Sequence, residues 1–293
     1  MDALSPSVEL PKITLIGVGL LGGSVGLAVK KRGLAGCVTG FVRRVESIDE
    51  CLSIGAVDEA TQDLTEAVTE ASLVVMCTPV GGMKDMATQI KPLLSTEAVV
   101  TDVGSVKASV IQEVEPILSR FVGSHPLCGS EKTGVANASA NLFEGATCAV
   151  TPTEQSDTEA VVKVNEFWSA LGGRLVNLTV EAHDEIVART SHLPHVVASA
   201  LVNAVLCKPC AGESDFFGTG FADTTRLASG SPTMWRDIAL TNAEAIQKAI
   251  DDLQVELSEL KAALALKDAD ALENFFKESK ASRDQWLEGE GKK

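Results

Sequence analysis

Lys12-Ile13-Thr14-Leu15-Ile16-Gly17-Val18-Gly19-Leu20-Leu21-Gly22 is the stretch that decides the fold. A short apolar run, Ile13–Ile16, reads as a buried strand, and helical periodicity starts at Leu20, so a GxGxxG sits on a strand-to-helix turn. In that context the glycines have separate tasks. Gly17 allows the tight turn, Gly19 lets the backbone approach a pyrophosphate, and Gly22 permits close helix–strand packing. The first helical N–H groups, around Leu20 and Leu21, would then face the phosphates. A dinucleotide cofactor is the expectation.

Working outward, short apolar runs alternate with amphipathic helical stretches from Lys12 to about Thr179, the pattern of βαβ units on a parallel sheet. Strands are expected at Ile13–Ile16, Val38–Val42, Leu73–Cys77, Ala98–Thr101, Phe121–Gly123, Thr147–Val150 and Arg174–Asn177. Helices are expected to begin near Leu20, Ser47, Gly82, Ser105 and Asp157. After Thr179 the strand signals stop, and residues 181–207 and 233–285 read as long helices. The apolar series Ile238, Ala239, Ala243, Ile246, Ile250, Leu253, Leu257, Leu260 is long enough that part of it is expected to face another subunit. Between the helices, Cys207 to Ser231 reads as a Gly/Ser/Pro-rich functional or mobile loop, and the polar end from Glu288 to Lys293 as a tail.

Composition sets the limits. With 293 residues, 45% hydrophobic and 22% charged, the chain suits two cores, largely aliphatic because Tyr is absent and aromatics make up 4%. A net charge of −15 argues against nucleic-acid partners. The apolar runs are shorter than the roughly 20 residues of a membrane span, and the acidic start lacks the form of a signal peptide, so a cytoplasmic protein is expected. Seven cysteines spread from Cys37 to Cys210 suit a reducing compartment, and the isolated Cys207-x-x-Cys210 is read as neither redox pair nor zinc site.

Candidate site residues collect at the carboxyl ends of the expected strands, where open α/β sheets bind ligands. The end of the second strand reads Phe41-Val42-Arg43-Arg44, with no carboxylate for the two ribose hydroxyls of NAD. Arg43 and Arg44 suit the 2′-phosphate of NADP, although they could instead lie over the adenine, and Glu46 keeps NAD open. Thr78 and Pro79 follow the third major strand and fit a cofactor groove or a plain turn. Ser105, in Asp102-Val103-Gly104-Ser105-Val106-Lys107, is either a helix cap or a substrate-facing hydroxyl. His125, between Gly123-Ser124 and Pro126, has the chemistry of a base that takes a hydroxyl proton as hydride departs. His192 and His195 share a helix face in Ser191-His192-Leu193-Pro194-His195, and two histidines alone do not make a metal site. Arg226 ends a glycine-rich stretch as a carboxylate clamp or as the partner of Asp223.

Taken together and in order, Gly17-x-Gly19-x-x-Gly22, Asp102 to Lys107, Ser124-His125-Pro126 with Gly129-Ser130-Glu131-Lys132, Ser191 to His195, and Gly220-Phe221-Ala222-Asp223-Thr224-Thr225-Arg226 with Met234-Trp235-Arg236-Asp237 resemble prephenate and arogenate dehydrogenases over residues 12–285. The resemblance implies a Rossmann-like, mostly parallel sheet domain (10–179) and an all-helical dimerisation domain (180–288), with the active site between them and the molecule a homodimer. It implies His125 as the catalytic histidine supported by Ser105, and Ser191, His195, Ser130, Glu131, Asp223 and Trp235 around the substrate. It further implies Arg226 on a substrate carboxylate, and no metal. The reaction it implies is oxidative decarboxylation in tyrosine biosynthesis, of prephenate first and of arogenate as the alternative, with NADP or NAD. No appended mutase or ACT domain is expected, so any feedback by tyrosine would act at the active site. Other Rossmann-plus-helical dehydrogenases, such as β-hydroxyacid dehydrogenases and pyrroline-carboxylate reductases, lack the His125-Pro126 and Ser191–His195 blocks. A non-catalytic dinucleotide sensor would need no His125.

Overall fold

The computed structural model describes residues 10–128, 132–207 and 216–290. Eight strands, β1 (Leu10–Ile16), β2 (Ala35–Phe41), β3 (Glu59–Thr61), β4 (Leu73–Met76), β5 (Val99–Asp102), β6 (Phe121–Pro126), β7 (Thr147–Thr151) and β8 (Arg174–Asn177), form one sheet in the order β3-β2-β1-β4-β5-β6-β7-β8. The first six are parallel. β7 then pairs antiparallel with β6, and β8 parallel with β7. Helices α1 (Leu20–Arg32), α2 (Glu46–Ser53), α3 (Leu64–Val68), α4 (Met83–Ile90) and α5 (Ala108–Val114) connect the parallel strands, and α6 (Thr158–Ala170) carries the crossover from β7 to β8.

Both faces of this sheet are covered, which is why its central strands are apolar without alternation. Successive residues of β4 point to opposite faces. Leu73 and Val75 share a core with Val25 and Val29 of α1 and Val164 and Trp168 of α6. Val74 and Met76 share the other with Ala87 and Ile90 of α4 and Val110 and Ile111 of α5.

All seven expected strands form. β3 and α3 go unanticipated because three half-polar residues at a sheet edge and a five-residue helix are too short to show a period. Asp63 caps α3, its carboxylate accepting from the N–H of Thr65 (2.8 Å) and Glu66 (3.2 Å). Asp157 caps α6 as expected, accepting from the N–H of Ala160 (2.8 Å). The expectation for Ser105 is corrected: α5 begins at Ala108, and Ser105 does not cap it. Asp184, far along the chain, accepts the N–H groups of Lys107 and Ala108 instead, each at 2.8 Å.

Beyond the sheet come α7 (Val180–Val187), a π-helical turn (Ala188–His192), α8 (Leu193–Leu206), α9 (Thr219–Thr225), a 3₁₀ turn (Arg226–Ser229), α10 (Pro232–Thr241), α11 (Ala243–Leu266) and α12 (Ala269–Glu290). Pro194 lies in the first turn of α8. The stretch expected as one loop from Cys207 to Ser231 contains α9, and Cys210 lies outside the described residues. The helical run expected over 233–285 is three helices, interrupted at Asn242 and at Lys267-Asp268, where Lys267 has φ of +53°. By packing, the chain divides into residues 1–243 and 244–293. The second unit is α11 from Glu244 onward with α12, and it exposes Val255, Leu257, Leu264, Phe276 and Trp286. No helix among the described residues is long and apolar enough to cross a membrane.

The glycine turn after β1 is a tight joint in the sheet unit. Gly17 has φ of +95°, where a side chain is strained, and its N–H donates to the carbonyl of Phe41 at 3.0 Å. A Cβ on Gly22 would stand 2.1 Å from the carbonyl oxygen of Gly17, whereas one on Gly19 would meet no atom within 4 Å. Gly22→Ala is therefore expected to lose about 1–3 kcal/mol of stability through overpacking, and Gly19→Ala less than about 1 kcal/mol. Urea unfolding of the two variants checks the difference, and equal losses would contradict it.

Candidate active site

At the carboxyl ends of β1, β2 and β4 lies an edge made largely of backbone. No side chain caps the first turn of α1, whose N-cap is Gly19, so its leading N–H groups at Leu20, Leu21 and Gly22 point out of an unblocked turn. Thr78, beside Gly17, has a buried hydroxyl with no partner among the described residues, and Pro79 is exposed after it. The exposed Arg43 and Arg44 follow β2, and the Gln62 amide donates to the Arg43 carbonyl at 2.7 Å, holding that corner. An uncapped helix start, a glycine open to close approach and an orphaned hydroxyl fit the phosphates and ribose of a dinucleotide.

Next along the edge, β5 and β6 separate. Their pairing ends at Thr101 and Val122, and β6 continues to Pro126 paired only with β7, His125 opposite Ala149. The side of β6 released by β5 is filled by charge. Asp102 and Lys107 form a fully buried ion pair between Asp102 Oδ2 and Lys107 Nζ. Asp102 also accepts from the N–H of Gly104 (2.7 Å) and Ser124 (3.0 Å), and Lys107 donates to the carbonyl of Ser124 at 2.8 Å. Burial pushes the Lys107 ammonium below its usual range against the opposing pull of Asp102. Removing one partner of such a pair typically costs about 3–5 kcal/mol. The Ser124 hydroxyl donates to the Asp102 carbonyl (2.6 Å) and accepts from Trp168 Nε1 (2.8 Å), so the residue before His125 is fixed on all sides.

His125 is buried, and its Nδ1 lies 3.0 Å from Nε2 of His183. His183 Nδ1 lies 2.7 Å from Asp184 Oδ1, the carboxylate that caps α5. Burial, with His183 and Lys107 beside it, holds His125 well below the ordinary histidine value of 6.5. Desolvation would raise Asp184, but the His183 and backbone N–H hydrogen bonds outweigh it and hold the carboxylate low.

A second cluster stands on the helices. His195 stacks on Trp235 with ring centroids 3.8 Å apart, and His192 meets the same indole edge-on at 5.9 Å. His195 Nδ1 donates to the Ser191 carbonyl at 2.9 Å. Asn242 joins the two clusters, its amide donating to the Asp184 carbonyl (2.9 Å) and to His192 Nδ1 (3.2 Å). The buried Nε2 of His192 and Nε1 of Trp235 have no partner among the described residues. Burial lowers His192 to about 4. His195 is also lowered, by burial first, against the opposing hydrogen bond to Ser191 and with the charge of Arg226 adding to burial.

Of the residues singled out from sequence, Gly17, Gly19, Leu20, Leu21, Gly22, Thr78 and Pro79 gather at the dinucleotide-shaped edge. Arg43 and Arg44 stand exposed at the next strand end. His195, Trp235 and Ser191 come together on the helices, and the 3₁₀ turn that begins at Arg226 packs against α8. Ser105 is half-buried in the β5–α5 loop, and among the described residues its hydroxyl has no hydrogen-bond partner, so His125 is held by His183 rather than by Ser105. Asp223 is exposed on α9, while Ser130 and Glu131 lie outside the described residues. Sequence reasoning missed His183, Asp184 and Asn242. A signal existed for the first two: they lie four and three residues before the buried Val187, on the inward face of α7.

The family model for the prephenate dehydrogenase nucleotide-binding domain matches residues 25–177, and that for the prephenate dehydrogenase dimerization domain matches 179–278. The cyclohexadienyl dehydrogenase of Zymomonas mobilis is 34% identical over 92% of this chain and 94% of its own. The prephenate dehydrogenase of Bacillus subtilis is also 34% identical, over 93% of this chain and 75% of its own. Among solved structures, Aquifex aeolicus prephenate dehydrogenase in complex with hydroxyphenyl propionate and NAD+ superposes with a TM-score of 0.90, at 34% identity and covering 95% of this chain and 99% of its own. Synechocystis arogenate dehydrogenase superposes with a TM-score of 0.79 at 30% identity, over 94% and 99%. With both family models matched across most of its length, this chain belongs to the prephenate dehydrogenase family.

Proposed function

We propose that the protein is a prephenate dehydrogenase acting in tyrosine biosynthesis, with its working domains divided near residue 179 and the molecule a homodimer. The carrying observation is His125, buried at the end of β6 beside the dinucleotide-shaped edge and kept neutral by its surroundings. Bound NADP or NAD supplies the hydride acceptor. His125 takes the proton of the ring hydroxyl as the carbon bearing it is oxidised, through the ring nitrogen that His183 does not occupy. Loss of the ring carboxylate as carbon dioxide leaves a phenolate, to which the same histidine returns the proton. The protein's part is orientation and proton handling. Arg226, in the 3₁₀ turn packed against α8, holds the side-chain carboxylate of the substrate. Ser105, Ser130, Glu131, Ser191 and Asp223 complete the surround.

Arogenate is the second reading, since the acids Glu131 and Asp223 would suit its ammonium. The Synechocystis relative at 30% identity carries the name arogenate dehydrogenase. For the cofactor we favour NADP, on the exposed Arg43 and Arg44 at the end of β2 and the lack of a carboxylate there.

Three outcomes are expected in steady-state assays of dinucleotide reduction. First, His125→Asn loses about 100-fold or more in kcat. A base works deprotonated, and its pKa here is depressed, so the acidic limb of wild-type kcat/KM should fall below pH 6.5; a limb above that value, or an active His125→Asn, would remove His125 from the role. Second, Arg226→Ala raises KM for prephenate by about 10- to 100-fold, the loss of a charge-assisted pair, with a smaller change in kcat. Third, the wild type prefers NADP over NAD, and substituting Arg43 and Arg44 by Ser lowers kcat/KM for NADP by about 10-fold or more while leaving that for NAD nearly unchanged. A wild type that prefers NAD refutes the arginine clamp.

A further inference from the structure

We propose that Asp184 and His183 act as a positioning relay that fixes which nitrogen of His125 carries the proton, so that the free Nε2 is presented as the base. The inference rests on the role of His125 proposed above and deepens it.

The direction of each hydrogen bond follows from the one before it. Asp184 is an acceptor only: Oδ1 takes the N–H of Lys107 and Oδ2 that of Ala108, both at 2.8 Å, and a carboxylate with several such donors stays ionised. Oδ1 therefore also accepts from His183 Nδ1 at 2.7 Å, because a lone pair on that nitrogen would face an anionic oxygen. Neutral His183 with its proton on Nδ1 has a lone pair on Nε2. That lone pair faces His125 Nδ1 at 3.0 Å, so His125 donates from Nδ1 and keeps its own lone pair on Nε2. Two covalently unrelated rings thus inherit one tautomer from the amino end of α5.

The arrangement also has a use during turnover. When Nε2 of His125 accepts the hydroxyl proton, the Nδ1 proton of His125 can move toward His183 Nε2, bringing positive charge closer to the Asp184 carboxylate. Nothing is consumed, and the reverse shift returns the proton to the product.

The first test uses the intact protein without substrate or cofactor. The chain has four histidines, so ¹⁵N-histidine labelling gives four ring systems, assigned by single substitutions, and long-range ¹H–¹⁵N correlation spectra at pH 7.5 read each tautomer. Nδ1–H on both His125 and His183 is expected. An Nε2–H on His125, or a His183 protonated on both nitrogens, overturns the relay even if the enzyme turns prephenate over; the expected tautomers in a protein that turns over neither prephenate nor arogenate would leave the relay standing and remove the functional reading instead. The second test is kinetic. Asp184→Asn, whose amide would donate to His183 Nδ1 and reverse the chain, should lose at least about 100-fold in kcat with little change in KM for the dinucleotide. His183→Gln, whose carbonyl can still accept from His125 Nδ1, should retain about 10-fold more kcat than His183→Ala. Equal kcat in the Gln and Ala variants would count against tautomer control.

Discussion

The carboxylate of Asp184 accepts N–H groups from two layers of the molecule, the amino end of α5 on the sheet side and His183 on α7. An ionised carboxylate that is 5% exposed is tolerable only with its lone pairs taken up. That requirement fixes the spacing of α7 from the sheet. It decides where α5 starts, because the two N–H groups that Ser105 would otherwise have to serve are already engaged. Asn242 bonds to the Asp184 carbonyl, so the junction after α10 is referred to the same point. His192 is then tied to His125 at the end of β6 through a short series of direct hydrogen bonds, and Trp235 and His195 follow from His192 through ring contacts.

The sheet supplies the complementary constraint. Six parallel strands bring their carboxyl ends to one edge, and the reversal at β7 lets β6 run on past β5 without losing its backbone partners. His125 is therefore held rigidly from one side and open to side chains on the other. The buried Asp102–Lys107 pair occupies the gap left by β5 and ties the β5–α5 loop to Ser124. Charges in such a place add little net stability compared with a well-packed apolar filling. What they add is a defined geometry next to His125.

Much of this was legible before any coordinates. The glycine turn, the seven longer strands and the helical second half follow from periodicities that local residues set. His125, His195, Arg226 and Trp235 stand in short, compositionally distinctive blocks. His183 and Asp184 do not: they lie inside an ordinary-looking helix, and their importance arises from α5, some seventy residues earlier in the chain. Periodicity marks which face of α7 turns inward but not that this face meets a helix start needing an acceptor. Ser105 failed as a cap for the same reason. A local Ser is the economical reading of a helix start, and a distant carboxylate that satisfies two N–H groups at once displaces it. β3 escaped notice because an edge strand of three residues has too little side-chain pattern to register.

The π-helical turn at Ala188–His192 holds one residue more than an α-helical turn of the same span would. Each residue of an α-helix advances the chain by about 100° around the axis, so the extra one turns everything downstream by about that angle. The face that α8 shows to Trp235 is thus set by a count of residues rather than by the hydrophobicity of the helix. Shortening the chain by one between Val187 and Leu193 would preserve composition, charge and apolar content almost unchanged, yet it would swing His195 a quarter-turn away from its indole partner. In a lineage of such sequences, single-residue length changes in this turn would alter the site more than many substitutions, and the turn works as a reading frame for the helix that follows it.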